Sequence, residues 1–289
     1  MKIFALLILL SITLSLSAQK STQSKYFPLG VCQKPENSQL AASFGFDYIE
    51  CGVDNFLVPS QPEEIFQGKL QEIRKNGIPI YACNNFIPGT IKCTGPDVSI
   101  TKLLDHINIA LKRAKDAGVK IIVFGSGGSR KIPDGFDKQK AHDQFVDLLK
   151  QIGPIAKAND VVIAIEPLRS QECNFINTVK EACEIARLVN DKNIRVLADF
   201  YHMNCEKESA ESIVEAGNLL VHCHVAETDK RAAPGTTKED FTPFFKALRQ
   251  IKYKGKISIE CNWTNFEKEA PEGIKTLRSQ QDELNKSKS

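Results

Sequence analysis

Between residues 27 and 285, eight short β-rich runs alternate with eight amphipathic stretches of helical period. This alternation restricts the chain to βα units and a parallel sheet. The strand runs are Phe27–Gln33, Phe46–Cys51, Ile78–Asn84, Val119–Gly125, Val161–Glu166, Ile194–Asp199, Leu219–His224 and Lys256–Cys261. The helical stretches lie near 36–43, 62–76, 98–117, 137–159, 175–190, 206–217, 239–252 and 266–285. Gly45, Gly77, Gly118 and Gly255 stand just before the next strand, where a helix stop favours glycine. Eight units are what closes a TIM barrel of about 250 residues. The expected fold is therefore α/β, a single (β/α)8 barrel over residues 27–285 with a disordered tail at 286–289. A doubly wound open sheet is the rival, but it suits fewer strands. No G-x-G-x-x-G follows the first strand to support a dinucleotide fold. Gly125-Ser126-Gly127-Gly128 follows the fourth strand without a Lys-Ser/Thr, so it reads as a pocket-lining loop rather than a phosphate loop.

Ahead of the barrel, Met1-Lys2 leads into an apolar run from Ile3 to Leu10 that softens towards Leu16 and ends at Ser17-Ala18-Gln19. A positive start, a short apolar core and a small residue before the cut describe a signal peptide over residues 1–18. The run is too short and serine-rich for a span of about 20 apolar residues. Residues 19–26 then form a short N-terminal segment. The expected location is outside the cytoplasm, periplasmic or secreted, with no membrane partner after cleavage. Lys+Arg total 38 against 35 Asp+Glu, a net charge of +3, too balanced for a nucleic-acid partner. The nine cysteines contain no CxxC pair, which argues against a zinc ribbon. An odd number leaves at least one thiol unpaired. Cys51, Cys223 and Cys261 sit in apolar runs and read as small buried hydrophobes. One disulfide among the loop cysteines stays open.

The chemistry collects on the second half of the chain. The last four strand runs end in or beside Glu166, Asp199, His224 and Glu260. Strand alternation sets Ser258 and Glu260 opposite Ile257 and Ile259, and Glu166 opposite Ile163 and Ile165. With the apolar faces on the helix ring, all four polar side chains project into the barrel mouth, where such folds place their sites. Three carboxylates in contact repel one another unless a cation joins them. Three oxygen donors and one nitrogen suit one divalent metal ion, Mn2+ first, with Mg2+, Co2+ and Zn2+ as alternatives.

Several stretches extend this pattern: Ile165-Glu166-Pro167-Leu168, Asp199-Phe200-Tyr201-His202-Met203, His222-Cys223-His224-Val225-Ala226-Glu227 and Ile259-Glu260-Cys261. Together with Phe124-Gly125-Ser126-Gly127 and Arg130, they resemble the signature stretches of xylose-isomerase-like TIM barrels, in the sugar isomerase/epimerase branch that includes the ketose 3-epimerases. The resemblance implies a metal held by Glu166, Asp199, His224 and Glu260, with Glu166 and Glu260 also acting as acid and base. It implies substrate contacts at Glu172, His202 and Arg231. Arg231 falls one position further on than in the ketose 3-epimerases, with Lys230 in the usual slot.

The implied reaction removes a proton next to a carbonyl and passes through a metal-stabilised enediolate. The substrate is a small carbohydrate. Arg130 and Asn85, after strands four and three, are further substrate-binding candidates or loop structure. Phe86 and Trp263 either stack on a sugar or pack under a loop. Glu50 ends strand two and is a candidate to join the site. His222 reads as a barrel-interior group, while His106 and His142 read as surface residues on helices. A lyase or hydratase acting on a keto-sugar, 3-keto-glycoside or inosose is the second functional reading. A multi-zinc nuclease and a non-catalytic carbohydrate-binding protein are weaker ones. Homo-oligomerisation is left open.

Overall fold

In the computed structural model, the described residues run from Tyr26 to Lys286. The expected signal peptide and nearly all of the 19–26 segment lie outside them. So does the expected tail, apart from Lys286, which still belongs to the last helix.

Eight parallel strands close into a barrel in sequential order. They are β1 Leu29–Cys32, β2 Tyr48–Gly52, β3 Ile80–Asn84, β4 Ile121–Phe124, β5 Val162–Ile165, β6 Ile194–Asp199, β7 Leu220–Val225 and β8 Lys256–Ile259. The helices are α1 Ser38–Phe44, α2 Val53–Phe56, α3 Glu63–Asn76, α4 Ile100–Ala117, α5 Gly127–Arg130, α6 Lys138–Ala158, α7 Val179–Val189, α8 Phe200–Cys205, α9 Glu211–Ala216, α10 Thr242–Gln250 and α11 Phe266–Lys286. The eight expected helices are all present. The short α2, α5 and α8 are additional turns in loops after β2, β4 and β6, too brief to leave a 3.6-residue period in the sequence.

Local signals explain the boundaries. Asp137 and Thr178 cap α6 and α7, and Thr178 forms a reciprocal capping box with Glu181. Gly45 and Gly118 end α1 and α4 in the left-handed conformation. Gly77 also follows its helix but is extended, and α10 is capped by Ile251 rather than Gly255. Apolar faces of the helices pack on the outward residues of the strands, among them Ile49, Ile163, Ile165, Val196, Cys223 and Ile257. Each fully buried Ile or Val here contributes about 1.5–3 kcal/mol.

The barrel interior is divided. Ala82, Ile121, Val123, Ala164 and Leu197 fill the side built from β3 to β6 with a small apolar cluster. The side built from β1, β2, β7 and β8 is polar, holding Tyr48, Glu50, His222 and Ser258, all fully buried. Gly30 makes this possible: a Cβ there would lie 2.2 Å from the Tyr48 ring. The sheet closes by pairing β1 with β8, Gly30 opposite Ser258. Helix α11 holds the seam, since Gln281 accepts from the Phe27 amide at 2.9 Å and Arg278 donates to the Phe27 carbonyl at 2.7 Å.

All nine cysteines are free thiols, so none of the loop cysteines forms a disulfide. Cys51 and Cys223 are buried as expected. Cys261 is only half-buried, because β8 ends at Ile259 and the chain has already turned towards the rim. No helix among the described residues is long and apolar enough to cross a membrane.

Candidate active site and metal centre

Glu166 and Glu260 each follow the last residue of β5 and β8, while Asp199 ends β6 and His224 lies one residue before the end of β7. Parallel register brings them to one level, with Asp199 opposite His224 across β6 and β7. Possible ligand atoms of all four lie within 4.8 Å of one another. Glu166, Asp199 and His224 are buried, and Glu260 is partly open to the mouth.

Contacts around the cluster fix each group. His224 Nδ1 stands 3.0 Å from Glu166 Oε1 and 3.0 Å from Glu260 Oε2. Asp199 Oδ1 accepts from the Tyr201 amide at 2.9 Å, capping α8, while Oδ2 accepts from Arg231 Nη2 at 3.1 Å. Arg231 also donates to Glu260 Oε2, and its guanidinium lies 4.8 Å from the centre of the Tyr201 ring. Glu260 Oε1 accepts from Asn84 Nδ2 at 2.8 Å. His202 is buried beside Asp199. Its Nδ1 accepts from the Arg169 amide at 3.2 Å, while its buried Nε2 has no hydrogen-bond partner.

Electrostatics favour positive charge at the cluster. Burial raises the Glu166 carboxyl above its ordinary range. Burial would raise Glu260 too, but His224 and Arg231 outweigh it and hold that carboxyl at about 2. Burial opposes charge on His224, yet Glu50, Glu260 and Glu166 together push its pKa well up. The site thus draws a proton onto His224, between two carboxylates. A divalent cation would supply positive charge at that point and displace the proton. The mixed donor set of three carboxylates and one imidazole fits such an ion.

Beneath the cluster stands Glu50. Its Oε1 meets His224 Nε2 at 2.9 Å, and its Oε2 meets His222 Nε2 at 2.8 Å and accepts from Ser258 at 2.7 Å. The two histidines and their hydrogen bonds hold its carboxyl well below the ordinary range, against the upward push of burial. A register shift at Ile49/Glu50 accompanies its inward aim. The sequence placed Glu50 at the end of strand two, whereas it is the middle residue of β2, and its pairing with two histidines left no local signal. Burial lowers His222, the barrel-interior group expected from alternation.

The remaining candidates divide. Glu172 lies at the rim, paired with Arg169 at 2.7 Å. Arg130 is not available to a substrate: it is fully buried and donates to the carbonyls of Phe124, Phe175 and Ile176. Asn85 is exposed with φ 53° and only reaches back to Asn84. Asn84, the last residue of β3, is the one that touches Glu260. Phe86 is fully buried against Phe124 and His106, and Trp263 packs edge-on to Phe266. His106 is buried rather than superficial, its Nε2 against the Phe86 carbonyl at 2.8 Å. It shares the apolar face of α4 with Leu103, Ile107 and Ala110, a spacing that could have placed it. Glu227 escaped the sequence reading as a functional group. It is fully buried and accepts from the amides of Gly235, Thr237 and Glu239, binding down the loop beside the mouth.

The model of the xylose isomerase-like TIM barrel family matches residues 38–280. The 3-dehydro-D-guloside 4-epimerase of Escherichia coli strain K12 is 27% identical over 244 residues, covering 81% of this chain and 88% of that protein. The L-ribulose 3-epimerase of Methylomonas sp. strain DH-1 is 28% identical over 231 residues, 76% of this chain and 75% of its own. Among solved structures, that of 3-keto-D-glucoside 4-epimerase from E. coli superposes with a TM-score of 0.75 at 20% identity, over 88% of this chain and 100% of that one.

Proposed function

The chain belongs to the xylose isomerase-like TIM barrel family, and on that premise we propose that it is a divalent-metal-dependent sugar epimerase that moves a proton on the carbon next to a carbonyl. The observation that carries this reading is the pair of carboxylates, Glu166 and Glu260, set on either side of His224 Nδ1 at the barrel mouth. Two acid/base groups approaching from different strands can serve opposite faces of one carbon. A single group returning its proton to the same face would invert nothing.

Glu166, Asp199, His224 and Glu260 would hold the ion, Mn2+ for preference. When bound, a divalent cation supplies Lewis-acid stabilisation of charge developing on the carbonyl oxygen. The protein does the rest. One glutamate takes the proton and the other delivers one from the opposite side. His202 Nε2, 3.4 Å from Asp199 Oδ2 and without a hydrogen bond of its own, is the buried polar atom free to meet a substrate oxygen. Arg231, stacked on Tyr201, orients Glu260, and Glu172 contacts the part of the sugar nearest solvent. The names of the relatives point to ketoses and 3-keto-hexosides as the substrates to try.

The test is turnover of such substrates in D2O. Deuterium at the inverted carbon is expected, together with a loss on the order of 10²–10⁴-fold in Glu166→Gln and in Glu260→Gln. An unsaturated ketone absorbing in the ultraviolet would mark a lyase instead. Wild-type rates in both variants would overturn the mechanism.

A further inference from the structure

We propose that Glu50 is a positioning residue for the metal centre: it holds the His224 ring with hydrogen on Nε2, so that the lone pair of Nδ1 faces the ion. The inference rests on the metal reading above and adds a group from a strand that supplies none of the four ligands. Glu50 is wholly buried on β2, while the four ligands come from β5 to β8.

Its geometry leaves little freedom. The Tyr48 hydroxyl lies 2.9 Å from Ser258 Oγ, and Ser258 Oγ donates to Glu50 Oε2 at 2.7 Å. His222 Nε2 reaches the same oxygen at 2.8 Å. With Oε2 occupied twice, Oε1 is left pointing at His224 Nε2, 2.9 Å away. A carboxylate only accepts, so the imidazole nitrogen facing it must carry hydrogen. Nδ1 faces the carboxylates of Glu166 and Glu260, and an ion bound between them would displace hydrogen from it and take its lone pair. Hydrogen-bonding the far nitrogen of a ligating histidine also raises its basicity as a ligand. The chain Tyr48–Ser258–Glu50–His224 thus carries orientation from the centre of the barrel to its mouth, and Gly30 gives Tyr48 its space.

Calorimetric titration of the metal-stripped full chain with Mn2+ and Zn2+ tests the idea. Glu50→Ala is expected to weaken the ion by 10–100-fold. Glu50→Gln keeps an oxygen able to accept from His224 and should recover most of that loss. Unchanged affinity in Glu50→Ala overturns the role of Glu50 and leaves the metal centre standing. A wild-type chain that binds neither ion overturns both. Should Glu50→Ala fail to fold, imidazole 15N spectra of the wild-type protein with Zn2+ decide. Hydrogen on Nε2 of His224 is expected, and hydrogen on Nδ1 refutes the proposal. A merely structural Glu50 would leave the ranking of the two variants in metal affinity no different from their ranking in unfolding without metal.

Discussion

Gly125→Ala is a one-carbon change that should disable the site without unfolding the barrel. A Cβ built on Gly125 would stand 2.2 Å from Glu166 Oε2 and 3.3 Å from its carboxyl carbon. Ordinary contact begins near 3.4 Å, so the carboxylate must retreat by about 1.2 Å. Gly125 does not have a positive φ, so alanine fits its backbone, and the loss of unfolded-state freedom even favours the variant by about 0.4–1 kcal/mol. The expected result is a melting temperature of the metal-free protein within a few degrees of wild type. Titration with Mn2+ should show affinity reduced at least tenfold. Turnover should fall about 100-fold, the usual cost of misplacing a reacting group by an ångström. Stabilisation by saturating ion, about 2.7 kcal/mol at a hundred times Kd, should shrink in step. Wild-type affinity and rate in Gly125→Ala would show that Glu166 does not work from the position described.

Arg130→Met should destabilise the chain by about 2–4 kcal/mol in denaturant unfolding, because the guanidinium satisfies buried carbonyls. A stable variant with only a raised KM would restore Arg130 as a substrate group. Glu227→Gln places an amide donor among the backbone donors of residues 235–239. Hydrogen exchange in that loop should quicken about 10–100-fold with little change elsewhere, and unchanged protection would refute the role given to Glu227. We propose that the chain is exported and cut after Ala18. Intact mass of protein recovered from its host should begin at Gln19, and an uncut cytoplasmic chain would sink the idea.

Periodicity made the barrel legible because every strand and long helix carries its own pattern, and alternation within β7 correctly set His222 inside. What it could not convey was side-chain reach. Arg130 ends the single-turn α5 that follows β4, a place where an arginine normally meets water, yet it folds back under the chain to bind carbonyls. Asn84 and Asn85 are chemically identical, and only the left-handed turn at Asn85 decides which of them faces Glu260. Glu50 is a single acidic residue in an apolar strand. Its partners His222, His224 and Ser258 lie at the other end of the sequence, where no local pattern connects them. Glu227 follows the same logic, since its value depends on a loop that comes after it.

Translation order gives the β1–β8 seam another meaning. β1 is the first strand to leave the ribosome and β8 the last, so a nascent chain ending before Ile259 carries an unclosed sheet with an open edge on β1. A chain that has just completed β7 has made Glu166, Asp199 and His224 but not Glu260. The long-range pairing is slow to form, because loop closure must precede any reward from contact. The four side chains therefore come together only once β8 has been made. If the leader directs secretion, the late seam would also keep the chain threadable until its last strand is made.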